Sequence, residues 1–87
     1  MNLCILMGKI ITDIEFKFII NSKNKSIAEF EIETLDHNIV KLYSYNEIAD
    51  YCYRILRKTN IIIINGKLSG DGKIIIEEVK RVFINTK

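Results

Sequence analysis

Alternating side chains in the segment 39–45 place residue types suited to nucleic-acid binding on one face of a predicted strand. Lys41, Tyr43 and Tyr45 occupy every second position, with small or apolar residues between them. Successive side chains of a strand point to opposite faces, so these three share one surface. Aromatic rings stack on bases and lysines contact phosphates, which is the chemistry of sequence-tolerant single-strand binding. The tyrosines could instead cover a sheet edge or a subunit interface, and both interpretations stay open.

The same predicted surface also carries negative charge. Glu29, Glu31 and Glu33 alternate with apolar residues in the preceding strand, so we expect them on the outer face beside the lysine and the two tyrosines. Cross-strand pairing would neutralise one carboxylate, and we expect Glu31 to pair with Lys41. The predicted face is therefore mixed in charge and not cationic.

Catalytic and metal chemistry have little support among the remaining polar residues. The one histidine, His37, lies in a predicted turn beside Asp36, and the chain has no nucleophile–base pair and no phosphate-binding Gly-rich motif. Cys4 and Cys52 are far apart among apolar residues, which is typical of reduced core thiols. We therefore predict a protein with no enzymatic activity, metal ion, cofactor or small-molecule substrate.

Composition predicts a single domain over residues 1–87. The chain is 48% hydrophobic and 28% charged, and no repeat or linker-like segment divides it. No apolar stretch reaches the roughly 20 residues of a membrane span, and the start of the chain does not resemble a signal peptide, so we expect a cytoplasmic protein. The net charge of +2 is too small to indicate a polyanion partner by itself.

Periodicity along the chain predicts five strands and one helix. The helical period begins at Asn46, which is expected to cap the helix, and the apolar stripe runs from Ile48 to Leu56. Phe16, Phe18, Phe30 and Phe83 are expected in the core, with Tyr51 and Tyr53 packing the sides of the helix. The predicted strands are 3–11 with a bend at Gly8, extended by 15–19 around a barrel corner, then 27–33, 39–45, 61–68 and 73–83, with turns at 21–26, 35–38 and 69–72.

This order of elements is that of the OB-fold, an all-β, five-stranded β-barrel with one α-helix between strands three and four. Several short motifs agree with it. They are residues 1–10, 13–18, 28–30, 45–46, 49–50, 56–59, 65–68 and 72–79, which are spread over nearly the whole chain. In order and spacing these motifs resemble bacterial single-stranded DNA-binding proteins, although Ile14 replaces a proline of that family and Asn46 a glycine. The resemblance implies a homodimer or homotetramer that binds single-stranded DNA in replication and repair.

The resemblance also implies roles for particular residues. Lys9 and Lys17 match basic positions of the family, and two further lysines flank the last turn. The implied nucleic-acid site therefore consists of Lys9, Lys17, Lys41, Tyr43, Tyr45, Lys67 and Lys73. In the family the first strand pairs across a two-fold axis, which assigns the oligomer interface to Leu3, Cys4, Ile5, Leu6 and Met7.

The chain departs from the family in features that bear on binding strength. The long DNA-wrapping loops shrink to residues 35–38 and 69–72, the chain has no tryptophan, and the acidic tail that recruits partners is not found. We therefore expect weak binding of single-stranded DNA, on the order of micromolar. The alternative is an oligomerisation or protein-interaction module, or an RNA binder, that has lost strong binding to single-stranded DNA.

Overall fold

A computed structural model describes residues 3–20 and 25–83, in which six strands and one helix are found. The strands are β1 Leu3–Ile10, β2 Glu15–Ile19, β3 Lys25–Thr34, β4 Ile39–Tyr45, β5 Ile61–Leu68 and β6 Ile74–Val82. The helix α1, Asn46–Ile55, lies between β4 and β5. The part of the chain described here contains no helix that is long and apolar enough to span a bilayer.

The strands close into a barrel. Antiparallel ladders join β1 to β5, β5 to β6, β3 to β4 and the end of β1 to β3. A short parallel ladder between β4 and β6 completes the ring, and β2 adds to β3 outside it. The predicted all-β, five-stranded OB-fold with one helix is thus confirmed, with β1 and β2 as the two parts of the bent first strand.

Gly8 is where β1 passes from one neighbour to the other. It pairs with Ile62 of β5 and with Thr34 of β3, so both ladders meet at this residue. A Cβ atom here would lie 2.7 Å from the carbonyl oxygen of Glu33, which is closer than side-chain carbons approach backbone oxygens. β1 runs unbroken through Gly8, and the close approach of β3 at this residue depends on the absence of a side chain.

The core follows the predicted alternation. The fully or nearly fully buried apolar residues are Ile10, Ala28, Phe30, Ile32, Leu42, Ala49, Cys52, Leu56, Ile62, Ile64 and Ile76. The prediction for the phenylalanines was only partly right. Phe30 is buried and Phe16 packs against the core, but Phe18 is 59% and Phe83 76% exposed. Phe18 lies near the end of β2, an edge strand, and Phe83 follows the last residue of β6, so neither is enclosed.

The start of the helix differs from the prediction. Tyr45 is the N-cap residue, with no side-chain cap hydrogen bond, and Asn46 is already the first helical residue with a φ of 56°. Asparagine tolerates this left-handed conformation better than most residues. The Asn46 amide oxygen accepts a hydrogen bond from the Ser26 amide at 3.4 Å, so it joins the helix to β3. Ser26 and Lys25 belong to β3 and not to the predicted turn, whose residues 21–24 lie outside the described residues.

Candidate nucleic-acid interface

The outer surface of β4 carries the aromatic and basic residues expected there. Lys41, Tyr43 and Tyr45, hereafter the β4 face, alternate with Leu42 and Ser44, which are buried. The ladder with β3 sets Glu29 opposite Tyr43 and Glu31 opposite Lys41. Directly paired residues project to the same side of a sheet, so the glutamates lie beside the β4 face as expected.

Tyr43 is the centre of this surface because two lysines approach its ring. Lys73 Nζ lies 4.9 Å and Lys41 Nζ 5.7 Å from the ring centroid. Both distances are within the range of cation–π contacts. Lys73 follows the β5–β6 turn, where its ammonium group also lies 3.7 Å from an Asp71 carboxylate oxygen. A flat ring flanked by two cations can stack on a base and bind the neighbouring phosphates.

The ion pair predicted between Glu31 and Lys41 is not formed. Lys41 Nζ lies 3.4 Å from Oε1 of Glu29, and Lys17 Nζ lies 3.8 Å from Oε2 of the same carboxylate. Glu31 is the register partner of Lys41, but a long lysine side chain also reaches the diagonal neighbour two residues away. The Glu29 carboxylate raises the pKa of Lys41, and the nearby Tyr43 adds to this shift. One carboxylate therefore binds two of the predicted site lysines.

One side of the β4 face is acidic. A hollow of about 320 Å³ beside Lys41 is lined by the carboxylates of Asp13, Glu15, Glu29 and Glu31. Within the described ranges no three His, Cys, Asp or Glu side chains come together in a metal-binding group, so these carboxylates line the hollow without forming a metal site. The hollow repels a phosphate backbone, so a nucleic-acid strand suits the parts of the β4 face away from it, towards Lys73 and at the Tyr45 end.

The remaining predicted site residues lie apart from Tyr43. Lys67 of β5 pairs with Ile75, which in turn pairs with Tyr43, so two ladders separate this lysine from the ring. Lys9 pairs with Glu33 of β3 near the other end of the β4 face. The structure therefore brings Lys41 and Lys73 to the ring of Tyr43. Lys17 joins them through Glu29, which it shares with Lys41, and Tyr45 lies two residues along the strand.

The predicted oligomer interface is divided by the alternation of β1. Leu3, Ile5 and Met7 are exposed, Ile5 to 67% of its surface, whereas Leu6 packs against the core and Cys4 is half-buried. Residues 3–7 pair with β5 but not with β3, whose ladder with β1 begins at Gly8. The exposed apolar stripe thus lies on the part of β1 that has a β-strand neighbour, β5, on one edge only among the described residues.

Solved structures of other proteins share this architecture. A single-stranded DNA binding protein from Thermus aquaticus matches 100% of this chain with a TM-score of 0.87 and 16% identity. The fold is that of single-stranded DNA-binding proteins. This chain spans 43% of the length of the Thermus protein.

Two shorter relatives of this fold match over most of both chains. The SSB domain of a Synechococcus sp. protein gives a TM-score of 0.78 at 15% identity, with 91% of this chain and 93% of that chain covered. A mitochondrial single-stranded DNA binding protein from S. cerevisiae gives 0.75 at 14% identity, with 93% of each chain covered. No protein-family model and no curated protein sequence matches. At these identities the likeness establishes the OB-fold.

Two contributors to this surface were missed by the sequence analysis. Glu29 was placed on the correct face, but nothing in the sequence indicates that it holds Lys17 as well as Lys41. Asp71 was assigned only to a turn, whereas its carboxylate lies beside the ammonium group of Lys73. A signal for Asp71 was present, since an acidic residue two positions from a lysine in a tight turn is close enough to pair with it.

Proposed function

We propose that this protein binds single-stranded DNA without base recognition and has no enzymatic activity. The observation that carries the proposal is Tyr43, whose ring has the ammonium groups of Lys73 and Lys41 at 4.9 and 5.7 Å from its centroid on the outer surface of an OB-fold barrel. Tyr45 supplies a second ring two residues along the same face. Stacking on such rings tolerates any base, and lysine–phosphate contacts carry no sequence information, so no base preference is expected.

The proposed binding is weak because the lysines are already engaged. Lys17 and Lys41 pair with Glu29, and Lys73 pairs with Asp71, so a phosphate has to displace a carboxylate at each. Two stacked bases contribute roughly 2 to 6 kcal/mol, at about 1 to 3 kcal/mol each. A dissociation constant on the order of micromolar corresponds to about 8 kcal/mol, so stacking with a few phosphate contacts accounts for it.

The proposal includes assembly into a homodimer or homotetramer through the outer side of β1. Leu3, Ile5 and Met7 are exposed there, and Ile63 of β5 pairs with Met7 in the same apolar surface. Burial of such a surface against a second copy removes apolar area from water, which favours association. On this proposal the protein acts in the cytoplasm, where single-stranded DNA is exposed during replication and repair.

The test is a fluorescence-anisotropy titration with oligo-dT at a low and a moderate salt concentration. Tyr43→Ala and Tyr45→Ala are each expected to weaken binding about 5- to 100-fold, since each removes one stacked base. Tyr43→Phe, which keeps the ring, is the matched control and should bind as the wild type does. Equal affinity of all four proteins would contradict the assignment of the site to the β4 face.

A second candidate function is suggested by the carboxylates beside the β4 face. Asp13, Glu15, Glu29 and Glu31 would suit a basic surface on a protein partner better than a phosphate backbone. On this alternative the protein is an oligomerisation or interaction module, and oligo-dT binding is negligible at every salt concentration.

A third candidate is an RNA binder. Competition of unlabelled oligo-U against labelled oligo-dT tests it, because oligo-U should displace the labelled strand at a lower concentration than unlabelled oligo-dT does if RNA is the better ligand.

A further inference from the structure

A second aromatic surface lies on the opposite side of β2 from the β4 face. The rings of Phe16 and Tyr53 are stacked with centroids 4.8 Å apart and planes inclined by 29°. Tyr53 is 52% exposed, and Phe18, two residues from Phe16 on the same side of β2, is 59% exposed. Large aromatic side chains are usually buried, as Phe30 is here, so two exposed rings on one surface mark it as a candidate for binding.

Basic residues lie along one side of this aromatic surface, next to Tyr53. A hollow of about 410 Å³ beside Tyr53 is lined by Arg54, Arg57 and Lys58, with Asp13 as its one acidic residue. Arg54 pairs with Asp50 on the helix at 2.8 Å. The hollow therefore has an excess of positive charge, in contrast to the acidic hollow beside Lys41.

Two of these cations are arranged in ways that suit a phosphate. The Nη1 atom of Arg57 donates to the carbonyl oxygens of Arg54 and Leu56, at 3.1 and 2.9 Å, which holds the guanidinium at the end of α1. Lys58 is exposed, and no carboxylate of the described residues lies within ion-pair distance of it. Its ammonium group is free of the competition that affects Lys17, Lys41 and Lys73.

The two aromatic surfaces are connected around one strand. β2 pairs with β3 alone among the described residues, so it is the edge of the sheet. Lys17 pairs with Ile27, the residue opposite Tyr45, and so faces the same side as the β4 face, whereas Phe16 and Phe18 face the helix. A single strand of nucleic acid that leaves the β4 face past Lys17 therefore reaches Phe18 and Tyr53 by passing around the edge of β2.

We propose that Phe18, Tyr53 and Lys58 form a second contact surface for single-stranded nucleic acid, continuous with the β4 face around the edge of β2. This inference rests on the proposed function. The two exposed rings stack on bases, and Lys58 with Arg57 contacts the phosphates on the side of Tyr53 away from Phe18. The excess of cations over the single carboxylate Asp13 favours a polyanion here over a protein segment of mixed charge.

The experiment compares oligo-dT of two lengths, because a short strand fills only one surface. An OB-fold contacts about 4 to 16 nucleotides, so strands of about 5 and about 15 nucleotides separate the two surfaces. Tyr53→Ala is expected to weaken binding of the longer strand about 5- to 150-fold and leave the shorter strand unaffected. Tyr53→Phe keeps the ring and should behave as the wild type with both lengths.

Lys58→Gln gives a second, electrostatic readout. The slope of log affinity against log salt should decrease in magnitude by about 0.7 for the longer strand only, because one phosphate contact is lost. Lys80→Gln is the matched control, since Lys80 is an exposed lysine of β6 outside this hollow, and it should not change the slope. Phe18→Ala, at an exposed position, repeats the length test if Tyr53→Ala does not fold.

The outcomes distinguish this inference from the proposed function. If the wild type binds neither length, both fail. If it binds both lengths but Phe18→Ala, Tyr53→Ala and Lys58→Gln bind the longer strand as the wild type does, only the second surface is refuted. Equal losses for both lengths in folded variants would also refute it, because the residues would then act at the β4 face and not beyond it.

Discussion

Replacement of Glu29 by glutamine tests how the charge balance of the β4 face limits binding. The two carboxylate oxygens of Glu29 lie 3.4 Å from Lys41 Nζ and 3.8 Å from Lys17 Nζ. Glutamine keeps the size and hydrogen-bonding capacity of the side chain but removes its charge. Both lysines then become available to phosphates, so Glu29→Gln should bind oligo-dT more tightly than the wild type. The Glu29 side chain is only 17% exposed, but glutamine has nearly the same shape and both lysines can turn to solvent, so the fold should be retained.

The expected gain follows from counterion release. Each new lysine–phosphate contact adds about 0.7 to the magnitude of the slope of log affinity against log salt for single strands, so two contacts add about 1.4. If these contacts contribute nothing at 1 M salt, the upper limit is about 60-fold tighter binding at 50 mM and about 10-fold at 200 mM. The ratio of wild-type to variant dissociation constants should therefore shrink as salt is added.

The assay is a salt series of anisotropy titrations on Glu29→Gln, with Glu31→Gln as the matched control. Glu31 is the register partner of Lys41, yet the ion pairs of the described residues do not include it. Both variants remove one charge from the same face, so a general electrostatic effect would appear in both. Equal gains, or no gain for Glu29→Gln, would refute the reasoning that Glu29 specifically withholds two lysines from the ligand.

Two further predictions concern assembly and pH. Ile5→Lys puts a charge on the exposed stripe of β1 and should shift the protein towards monomer in light scattering; an unchanged mass at tens of micromolar would count against the interface. Burial raises the pKa of Cys52 to about 11 from a usual value of 9.0. The Cys52 thiol therefore ionises at a lower pH in the unfolded chain than in the folded protein. The free energy of unfolding has its full value from this group below pH 9 and falls by about 3 kcal/mol between pH 9 and 11. Urea unfolding of Cys52→Ala should lack this decline.

The fold was predictable because the spacing of apolar residues, every second residue in strands and every three to four in the helix, indicates which side of each element is buried. The apolar positions of β3 and β4 and the stripe of α1 are the positions that the structure buries. The N-cap was mispredicted because Asn46 is the first helical residue, and its amide oxygen accepts a hydrogen bond from Ser26, 20 residues earlier in the chain. A contact of that separation depends on the barrel register, which local sequence does not specify.

The site was predictable only at the level of faces. Alternation placed Glu29, Lys41 and Tyr43 on one surface, but the choice between a direct and a diagonal ion pair depends on side-chain reach across neighbouring strands. The exposure of Phe18 and Tyr53 was missed for a similar reason. Aromatic residues are usually buried, and only the closed topology shows that β2 is an edge strand.

The parallel ladder that completes the barrel has a consequence for ligand binding. It consists of two residue pairs, Leu42 with Ile74 and Tyr43 with Ile75, so the shortest ladder of the barrel lies at the residue that we propose stacks on a base. A nucleic-acid strand bound to both Tyr43 of β4 and Lys73, which directly precedes β6, would hold these two β-strands together. Separation of β4 from β6 would release the nucleic acid. Ligand binding and closure of the barrel are then coupled. Binding would stabilise the closed barrel by about 2.7 kcal/mol when the free ligand is a hundredfold above its dissociation constant. Because so small a domain has a thin stability margin, bound nucleic acid would add measurably to the stability of the closed barrel.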